Sequence, residues 1–360
     1  MQSVRVNLGP RSYDIVLTTG DSTGFGTFAR AALPKSQLAL IVTDSNTQPL
    51  GRQVEATLRA AGFRTGFATV PAGEESKSPT ELHRLYDALY DLAADRNTCV
   101  IAVGGGVVGD LAGFAAATYN RGLPLLMVPT SLLAMVDSSV GGKTGINHPK
   151  GKNLIGAFHQ PAGVWIDTAY LDTLPEREYL SGLAEVVKYG VILDAEFFAF
   201  LEANAADIRA RKPETLVHVV AKCCRLKADV VEKDEREETG LRAVLNYGHT
   251  FAHAFETVGG YGAWLHGEAV AAGMVYAARL AEKLGLPGDL SQRQRSLLEA
   301  FSLPTAMRAS WPTDDLIAVM KRDKKAVAGR MRFILPTRIG EVKLVNDVSE
   351  SLVRNVLEGR

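Results

Sequence analysis

Three of the chain's histidines stand close together in sequence, and they are the residues best suited to chemistry. The sequence has seven histidines, of which His249 and His253 are four residues apart and His266 follows shortly after. A spacing of four puts His249 and His253 on one face of a helix, and His266 opens a second helical pattern. Imidazole nitrogens bind divalent metals and exchange protons near neutral pH. The cluster therefore predicts metal-assisted chemistry on a small molecule, with His249 and His253 as the ligand pair that spacing alone selects. Three separately hydrogen-bonded histidines are the alternative.

A carboxylate and an amine that could join these histidines lie together in an apolar stretch. Glu185 and Lys188 are three residues apart, so they share one face of a helix. Glu185 is a candidate third metal ligand, which would give a set of two histidines and one glutamate with open coordination positions. Lys188 would then face the substrate. An ordinary surface ion pair is the alternative.

A glycine-rich turn predicts a nucleotide site in the first half of the chain. Gly104–Asp110 fits the spacing G-x-G-x-x-G, follows the apolar run 98–103 and leads into a helical pattern. Glycines there let the backbone approach a pyrophosphate, and the helix offers free N–H groups to the anion. The acidic residue expected about twenty positions later is missing, but Asp44 and Asn46 follow another apolar run and could accept ribose hydroxyls. The alternative is a glycine turn kept for packing.

A second glycine-rich stretch carries cations. Residues 129–147 end in a sequence that resembles a P-loop, but Asp137 stands where the first glycine is required, so nucleoside triphosphate hydrolysis is rejected. Lys143, Lys152 and the flexible glycines suggest a pocket for a phosphorylated or carboxylated, hydroxyl-rich substrate, although two solvated lysines are also possible. Arg242, just before the histidine cluster, could clamp a carboxylate or phosphate.

The patterns around these residues predict an α/β fold followed by helices. The apolar runs 38–43, 98–103 and 125–129 read as buried strands of a mostly parallel, Rossmann-like sheet, and ligands of such sheets gather at the carboxyl ends of the strands. From about Leu180 the apolar period becomes helical. We predict an α/β nucleotide-binding domain at 1–175 and a mainly helical metal- and substrate-binding domain at 176–360, with runs 331–336 and 340–345 as a small hairpin.

Composition removes several other classes of protein. Forty basic residues balance forty acidic ones, so no global charge favours nucleic acid or an anionic membrane. No apolar run reaches transmembrane length, and the start of the chain alternates like a strand rather than a signal peptide. The three cysteines do not suggest a disulfide framework. A cytoplasmic location is the simplest expectation.

Taken together and in order, these motifs resemble the 3-dehydroquinate synthase family of the sugar phosphate cyclases over nearly the full length. The matching stretches are Pro71–Lys77, Gly104–Asp110, Pro129–Asn147, Gly151–Gln160, Ala184–Gly190, Leu245–His253 and His266–Glu268. Two departures are small: Ala252 replaces a usual glycine, and Met135 stands where glutamine is common. Neither removes an ionisable group.

The resemblance implies NAD bound between an α/β and a helical domain, and zinc or cobalt held by Glu185, His249 and His266. It moves His253 from the metal to the phosphate and proton network of the substrate. The implied nucleotide site comprises Asp44, Asn46, Glu74, Lys77, Gly105, Gly106, Asp110, Thr130 and Ser131. The implied substrate or catalytic positions, some also near the cofactor, are Asp137, Lys143, Lys152, Asn153, Lys188, Lys227, Arg242 and Asn246. A late lysine is matched by Lys325 or its neighbour Lys324. Arg121 matches an arginine that the family supplies from the neighbouring subunit, which implies a homodimer.

The implied reaction is the conversion of 3-deoxy-D-arabino-heptulosonate 7-phosphate to 3-dehydroquinate and phosphate, in the shikimate pathway of aromatic amino acid biosynthesis. NAD would be used catalytically and regenerated. Three other readings are weighed beside it: a metal-dependent alcohol or glycerol dehydrogenase, a related cyclase that makes an inosose or a valiolone, and a non-catalytic NAD-binding regulatory protein. The array of lysines and arginine for a doubly anionic substrate argues against the first, and Arg242, Asn246 and the late lysine argue against the second. The intact set of Glu185, His249 and His266 argues against the third.

Overall fold

The structure is a computed structural model that describes residues 1–260, 262–286, 290–322 and 331–359. The late lysines Lys324 and Lys325 lie outside the described residues. The strands of the described part are β1 (Gln2–Val6), β2 (Tyr13–Thr18), β3 (Leu38–Asp44), β4 (Arg64–Val70), β5 (Cys99–Gly104), β6 (Leu125–Pro129), β7 (Lys143–His148), β8 (Gly151–Phe158), β9 (Gly163–Asp167), β10 (Met331–Arg338) and β11 (Glu341–Val348).

The α-helices of the same residues are α1 (Gly24–Ala32), α2 (Gln48–Ala60), α3 (Pro79–Asp91), α4 (Gly106–Thr118), α5 (Glu176–Leu193), α6 (Ala195–Ala203), α7 (Ala205–Arg209), α8 (Pro213–Lys233), α9 (His249–Gly259), α10 (His266–Lys283), α11 (Leu290–Ala300), α12 (Thr313–Arg322) and α13 (Glu350–Leu357). Short helical turns include Glu74–Ser76, Tyr119–Arg121, Leu241–Asn246 and a π-helical turn at Ala134–Ser138. None of the described helices is both long and apolar enough to span a membrane.

Contacts divide the chain into two compact units that are not continuous in sequence. The first unit comprises Met1–Leu174 and Leu216–Arg236, and the second comprises Pro175–Thr215 and Glu237–Arg360. Most of helix α8 therefore belongs to the first unit, although it follows helices of the second. The assignment of separate domains to 1–175 and 176–360 stays a prediction.

A seven-stranded sheet forms the centre of the first unit, as predicted. Its strand order is β1-β2-β9-β6-β5-β3-β4, in which β1 and β2 pair antiparallel and the other neighbours pair parallel. The three strands expected from apolar runs correspond to β3, β5 and β6, which lie side by side. Strands buried on both faces read as continuous apolar runs, which is why these three were visible in the sequence.

Helices cover both faces of this sheet because alternate strand residues point to opposite sides. On one face, Ile41 of β3 and Ile101 of β5 join a core with Phe25 of α1 and Leu58 of α2. On the other face, α4 packs against β6, where a Cβ added to Gly113 would lie in ordinary contact with Leu125 at 3.5 Å. The fold class is thus a mostly parallel α/β unit followed by a mainly helical one, which confirms the prediction.

The end of the second glycine-rich stretch forms a β-hairpin with the residues that follow it. Strands β7 and β8 pair antiparallel, with Lys143 opposite Phe158 and His148 opposite Gly151. Asn153 on β8 has a positive φ of 56°, a conformation that asparagine tolerates better than most residues. The hairpin gives fixed positions to Lys143, Lys152 and Asn153.

The second unit is built mainly of helices, with one hairpin. Strands β10 and β11 pair antiparallel and extend the predicted runs 331–336 and 340–345 by a few residues. Phe333 of β10 packs against Phe251 of α9, with ring centroids 5.2 Å apart. Helices α5 and α10 approach closely at Gly267, where an added Cβ would lie 1.8 Å from the carbonyl oxygen of Ser181. Only glycine permits this approach, which brings the start of α10 against α5.

Candidate active site

The predicted nucleotide residues of the first unit share one edge of the sheet. β5 is flanked by β3 and β6, and Asp44, Gly105 and Thr130 stand at or just beyond the carboxyl ends of these three parallel strands. The N–H of Thr130 donates to the carbonyl of Gly104 (3.0 Å), and a Cβ on Gly105 would lie 3.4 Å from Oγ of Ser131. Residues that are 25 to 86 positions apart in sequence are thereby brought together at the edge where such sheets bind ligands.

The glycine turn has both a packing role and a binding geometry. A Cβ on Gly104 would lie 2.6 Å from a methyl of Val108, so this glycine is required for the strand to turn tightly into α4. Gly105 is the N-cap of α4 and Gly106 is its first residue. The helix therefore begins at the carboxyl end of β5, and its free N–H groups and dipole favour an anion there. The glycines of this turn can therefore serve both tight packing and the binding of a nucleotide.

Asp44 organises its own turn. Its Oδ1 accepts hydrogen bonds from the N–H groups of Asn46 (2.9 Å) and Thr47 (2.8 Å) and from the Thr47 hydroxyl (2.8 Å). Asn46 is exposed at the tip of this turn. The arrangement holds one carboxylate at the end of β3 in a fixed orientation, as a ribose-binding acid would require.

Lys77 links the nucleotide edge to the β7–β8 hairpin. Its ammonium is 4% exposed, donates to Oδ2 of Asp110 on α4 (2.7 Å) and to Oδ1 of Asn153 on β8, and lies 3.7 Å from Glu74. Burial raises the pKa of Asp110, and the charge of Lys77 opposes that rise. Asn147 completes the network, since its Nδ2 donates to Glu74 (2.8 Å) and its Oδ1 accepts from the Asn153 N–H (2.9 Å). Sequence reasoning did not single out Asn147.

Asp137 and Lys227 are joined within the first unit. Lys227 of α8, whose side chain is 7% exposed, donates to the carbonyl of Asp137 (2.7 Å) and to its Oδ1 (2.8 Å). Asp137 lies in the π-helical turn, an irregular element that is frequent at functional sites. Two residues 90 positions apart thus form one charged pair.

The remaining predicted residues of this unit are more exposed. Lys143 is exposed at the start of β7, and Lys152 is half-buried on β8. Arg121 is exposed in a turn where Asn120, Arg121 and Gly122 all have positive φ values of 49°, 68° and 124°. Three consecutive left-handed residues are a strained arrangement, so the direction of this turn is strongly constrained.

In the second unit, helix α5 carries Glu185 and Lys188 on its buried face. The two side chains are 1% and 2% exposed, and the Lys188 ammonium contacts Oε2 of Glu185. The alternative of a surface ion pair is therefore wrong. A buried ion pair is costly to desolvate, which makes it a candidate for function as well as for structure.

Glu185, His249 and His266 converge on one point. The Nε2 atoms of His249 and His266 each lie 3.6 Å from Oε1 of Glu185. One ligand atom from each residue lies within 4.8 Å of the others, and the three side chains are the metal-type cluster found among the described residues. They come from α5, α9 and α10, so no sequence spacing could have specified the set.

The other ring nitrogen of each histidine faces an acceptor. Nδ1 of His249 lies 3.0 Å from the carbonyl of Tyr247, which can only accept, so Nδ1 carries the proton and the Nε2 lone pair faces Glu185. The Nε2 lone pair of His249 and the Oε1 atom of Glu185 repel each other at 3.6 Å, and a cation bound between them would remove this repulsion. Nδ1 of His266 lies 3.6 Å from Oε2 of Glu256, a buried carboxylate of α9. Imidazole ligands of metals are commonly held in this manner.

The two histidines differ in their affinity for a proton. Burial lowers the pKa of His249 to about 3, and the nearby Glu185 only partly opposes it. Burial also disfavours charge on His266, but the carboxylates of Glu185 and Glu256 outweigh that effect and raise its pKa to about 10. His249 therefore offers a neutral nitrogen, whereas His266 binds a second proton more tightly, which a metal ion bound at Nε2 would have to displace.

His253 lies apart from this cluster. It follows His249 by one helical turn, and their ring centroids are 5.7 Å apart, but His253 is exposed while the centroid of His266 is 5.3 Å from that of His249. The pairing of His249 with His253 that spacing alone selected is therefore not the geometry observed. His266, from the next helix, takes that place.

Arg242 and Asn246 occupy the helical turn before α9. Arg242 is 1% exposed, and its Nε lies 3.6 Å from a carboxylate oxygen of Glu237. Asn246 is half-buried at the end of the turn and is followed directly by Tyr247 and α9. Tyr247 is itself a supporting residue that the sequence did not reveal, since its buried hydroxyl has two acceptors within hydrogen-bond distance, Oε1 of Gln294 (2.7 Å) and the carbonyl of Met274 (3.0 Å).

The chain matches known proteins over most of its length. Residues 67–181 match the N-terminal model of 3-dehydroquinate synthase, and residues 182–326 match its C-terminal model. A 3-dehydroquinate synthase of Geobacter metallireducens is 52% identical over 354 residues, which cover 97% of this chain and 98% of that one.

Two solved structures share the whole fold. A 2-deoxy-scyllo-inosose synthase in complex with carbaglucose-6-phosphate, NAD⁺ and Co²⁺ superposes with a TM-score of 0.91 at 25% identity, covering 99% of this chain and 100% of that one. A 2-epi-5-epi-valiolone synthase of Streptomyces hygroscopicus with NAD⁺ and Zn²⁺ bound gives a TM-score of 0.87 at 28% identity, covering 100% and 98%. Both are similar to this chain but far less so in sequence than the relative from Geobacter.

Fold, site and matched models define an enzyme of the sugar phosphate cyclase group, and within it the chain belongs to the 3-dehydroquinate synthase family. Its activity is that of a 3-dehydroquinate synthase, a lyase. The resemblance stated from the sequence motifs is confirmed.

Proposed function

We propose that the chain converts 3-deoxy-D-arabino-heptulosonate 7-phosphate to 3-dehydroquinate and phosphate with a catalytic NAD and with zinc or cobalt held by Glu185, His249 and His266. The observation that carries the proposal is the convergence of these three ligands, each Nε2 standing 3.6 Å from Oε1 of Glu185. The family assignment supplies the reaction, and this cluster supplies the place on the chain where its metal-dependent part would occur.

The donor set fits a divalent metal. Two neutral imidazoles and one carboxylate are a common catalytic zinc set that leaves positions open for substrate oxygens, and cobalt accepts the same ligands. An ion held there would supply a Lewis acid that lowers the pKa of bound hydroxyl groups. The chain contributes the orientation: Tyr247 fixes His249 through its carbonyl, and Lys188 lies against Glu185. Lys188 is therefore placed to bind an anionic or hydroxyl group of the substrate.

The edge of the sheet in the first unit fits a dinucleotide. The start of α4 would bind the pyrophosphate through Gly105 and Gly106, and Asp44 with Asn46 would accept ribose hydroxyls. Glu74, Lys77, Asp110, Thr130 and Ser131 would complete the contacts, with Asp137, Lys143 and Lys152 toward the nicotinamide end. A bound NAD supplies a hydride acceptor that returns the hydride later in the same turnover.

Cations of the chain match a substrate with two anionic groups. We assign Arg242 and one late lysine, Lys325 or Lys324, to the carboxylate, because a planar guanidinium binds a carboxylate bidentately. Lys152, Asn246 and His253 are assigned to the phosphate and to the proton that moves as phosphate leaves. Asn153, Lys227 and Arg121 complete the proposed set. An exposed Arg121 in a rigid turn is suited to reach a second subunit, so a homodimer is part of the proposal, as is a cytoplasmic location.

One assay tests the reaction. Protein loaded with Co²⁺ or Zn²⁺ is mixed with NAD⁺ and 3-deoxy-D-arabino-heptulosonate 7-phosphate while released phosphate and NADH absorbance are followed together. Phosphate release without net NADH is expected. Stoichiometric NADH without phosphate would instead identify a dehydrogenase. The absence of both phosphate and NADH would favour a binding protein.

Two controls separate the metal and substrate parts of the proposal. Glu185→Gln should remove bound metal and phosphate release together, while the exposed Glu75→Gln should change neither. Glucose 6-phosphate, which has a phosphate but no carboxylate, tests for a cyclase of a different substrate. Faster turnover of that sugar than of the heptulosonate would overturn the assignment of Arg242 to a carboxylate.

A further inference from the structure

The three proposed metal ligands are not equally constrained by packing. The side chains of Glu185 and His249 are 1% and 13% exposed, whereas that of His266 is 37% exposed. His266 is also the first residue of α10, where no preceding helical turn packs against its ring. Its imidazole therefore needs a contact other than burial to point Nε2 at Glu185.

Hydrogen bonds of the neighbouring residues hold the backbone of His266, so only the rotation of its side chain remains to be fixed. Glu268 accepts a hydrogen bond from the N–H of Leu265 (2.8 Å) and forms two 2.7 Å contacts with Arg177 of α5. The N–H of Gly267 donates to the Ser181 hydroxyl (3.1 Å). These bonds fasten the residues on both sides of His266 to α5 without touching the imidazole.

Glu256 supplies the missing contact. Its carboxylate is buried, with 8% of the side chain exposed, and Oε2 lies 3.6 Å from Nδ1 of His266 while Nε2 of the same ring faces Glu185. Glu256 lies seven residues after His249, which is two turns along the same face of α9. One helix therefore carries a ligand and the carboxylate that faces the ring of another ligand.

We propose that Glu256 is a positioning residue for the metal centre, which holds the His266 imidazole with Nδ1–H toward its own carboxylate and Nε2 toward the metal. Tyr247 does the same for His249 through a backbone carbonyl at 3.0 Å, so each histidine has its own outer partner. Carboxylate partners of metal-bound histidines fix ring orientation and raise ligand basicity, and their loss typically costs about 10- to 100-fold in metal affinity. Glu256 is the only one of the two partners that mutation of a side chain can remove.

The inference rests on the proposed metal site, and the test is chosen to separate the two. Metal-depleted full-length protein is titrated with Co²⁺ alone, in competition with a chelator, and the visible absorption of the bound Co²⁺ is recorded. Wild type and Glu185→Gln are compared first. Binding by wild type that is lost in Glu185→Gln establishes the site, and binding that Glu185→Gln leaves unchanged would overturn the proposed site together with the inference.

Two variants of Glu256 then isolate its role. Glu256→Gln keeps an oxygen that can accept from Nδ1–H, whereas Glu256→Leu removes it at similar size. We expect Glu256→Leu to bind Co²⁺ about 10- to 100-fold more weakly with an altered visible spectrum, and Glu256→Gln to recover most of the affinity and the wild-type spectrum. Glu196→Gln removes the same charge at an exposed position of α6 in the same unit, and it should stay close to wild type.

A variant that does not fold would also fail to bind metal, so folding is measured separately. Far-UV circular dichroism and thermal unfolding of the metal-depleted variants identify any protein that has not folded, and Glu256→Gln, the milder change, then carries the test through its spectrum. Equal weakening in Glu256→Gln and Glu256→Leu would show that only the negative charge matters and would overturn the positioning role. Wild-type affinity and spectrum in Glu256→Leu would overturn it outright.

Discussion

Lys227 holds Asp137 through two hydrogen bonds from one ammonium, one to its carbonyl (2.7 Å) and one to its carboxylate (2.8 Å). The lysine is buried on α8, and the aspartate lies in the π-helical turn after β6. The pair fixes the irregular turn that carries a proposed cofactor and substrate residue.

Lys227→Met is therefore expected to impair both stability and turnover. Loss of the ammonium removes two charge-assisted hydrogen bonds from the half-buried Asp137, which costs about 1–3 kcal/mol. Urea unfolding measures the stability and the phosphate-release assay measures kcat. Lys233→Met, at the exposed end of the same helix, is the control, and an equal loss of activity there would contradict the specific role of Lys227.

His249→Ala and His253→Ala should differ in metal binding. His249 contributes Nε2 to the cluster, whereas His253 is exposed outside it. Equilibrium dialysis with Zn²⁺ should therefore give about one ion per chain for His253→Ala and much less for His249→Ala. The reverse pattern would restore the ligand pair that sequence spacing suggested.

His253→Ala should slow phosphate release more than it weakens NAD⁺ binding. A residue that assists proton transfer typically contributes about 10²- to 10⁴-fold to the rate, while its removal leaves the nucleotide edge of the other unit intact. Stopped-flow phosphate detection and NAD⁺ titration give the two quantities. His83→Ala, at an exposed histidine of α3, serves as the control. Comparable losses in both quantities would sink the assignment.

Gly267→Ala should destabilise the second unit and its metal site together. The added methyl would overlap the Ser181 carbonyl at 1.8 Å, so α5 and α10 would have to separate, at a cost of about 1–3 kcal/mol or more. Thermal unfolding and Co²⁺ affinity report the two effects. Lys283→Ala, on the exposed end of α10, should change stability by less than about 0.5 kcal/mol.

Acid should weaken the attachment of the N-terminal strands to the residues after α8. Hydrogen bonds from Arg11 lower the pKa of Glu235 in the folded protein, and burial only partly opposes them. A lowered pKa means that this carboxylate stabilises the fold above its unfolded pKa of about 4.3 and that the contribution is lost as pH falls through the lower folded value.

Glu235→Gln should consequently cost stability at about pH 7 and less at about pH 3, which lies below the unfolded pKa of about 4.3. Because Arg11 is 54% exposed, the loss at neutral pH should be at most about 1 kcal/mol. Urea unfolding at the two pH values measures it, with the exposed Glu75→Gln as a control that should show little change at either. A loss independent of pH would mean that packing rather than charge is responsible.

The sequence predicted most accurately those elements whose burial is complete. β3, β5 and β6 are apolar and buried along most of their length because both faces of the sheet are covered. β7 and β8 were missed because the hairpin is rich in glycine and lysine, with exposed or half-buried residues along β8. Nothing in their sequence distinguishes a polar hairpin from a binding loop.

The remaining site features could not be predicted because they depend on contacts between residues of different helices. Spacing identified Glu185 and Lys188 as neighbours, but it could not show that both are buried. The choice of His266 over His253 came from resemblance to a family and not from spacing, since it depends on the packing of α9 against α10. Glu256 had a signal that was overlooked, because a carboxylate seven residues after His249 shares its helical face.

Because the first unit is discontinuous in sequence, no single truncation of the chain yields the whole unit by itself. A fragment that stops near residue 175 contains the entire seven-stranded sheet yet lacks residues 216–236 and with them Lys227. Such a fragment would leave Asp137 without its ammonium partner and Asn7 without Glu232, which accepts its N–H at 2.9 Å. The unit that carries the proposed nucleotide site is therefore not contained in one continuous fragment, and exchange of this unit between relatives has to include α8 along with the sheet.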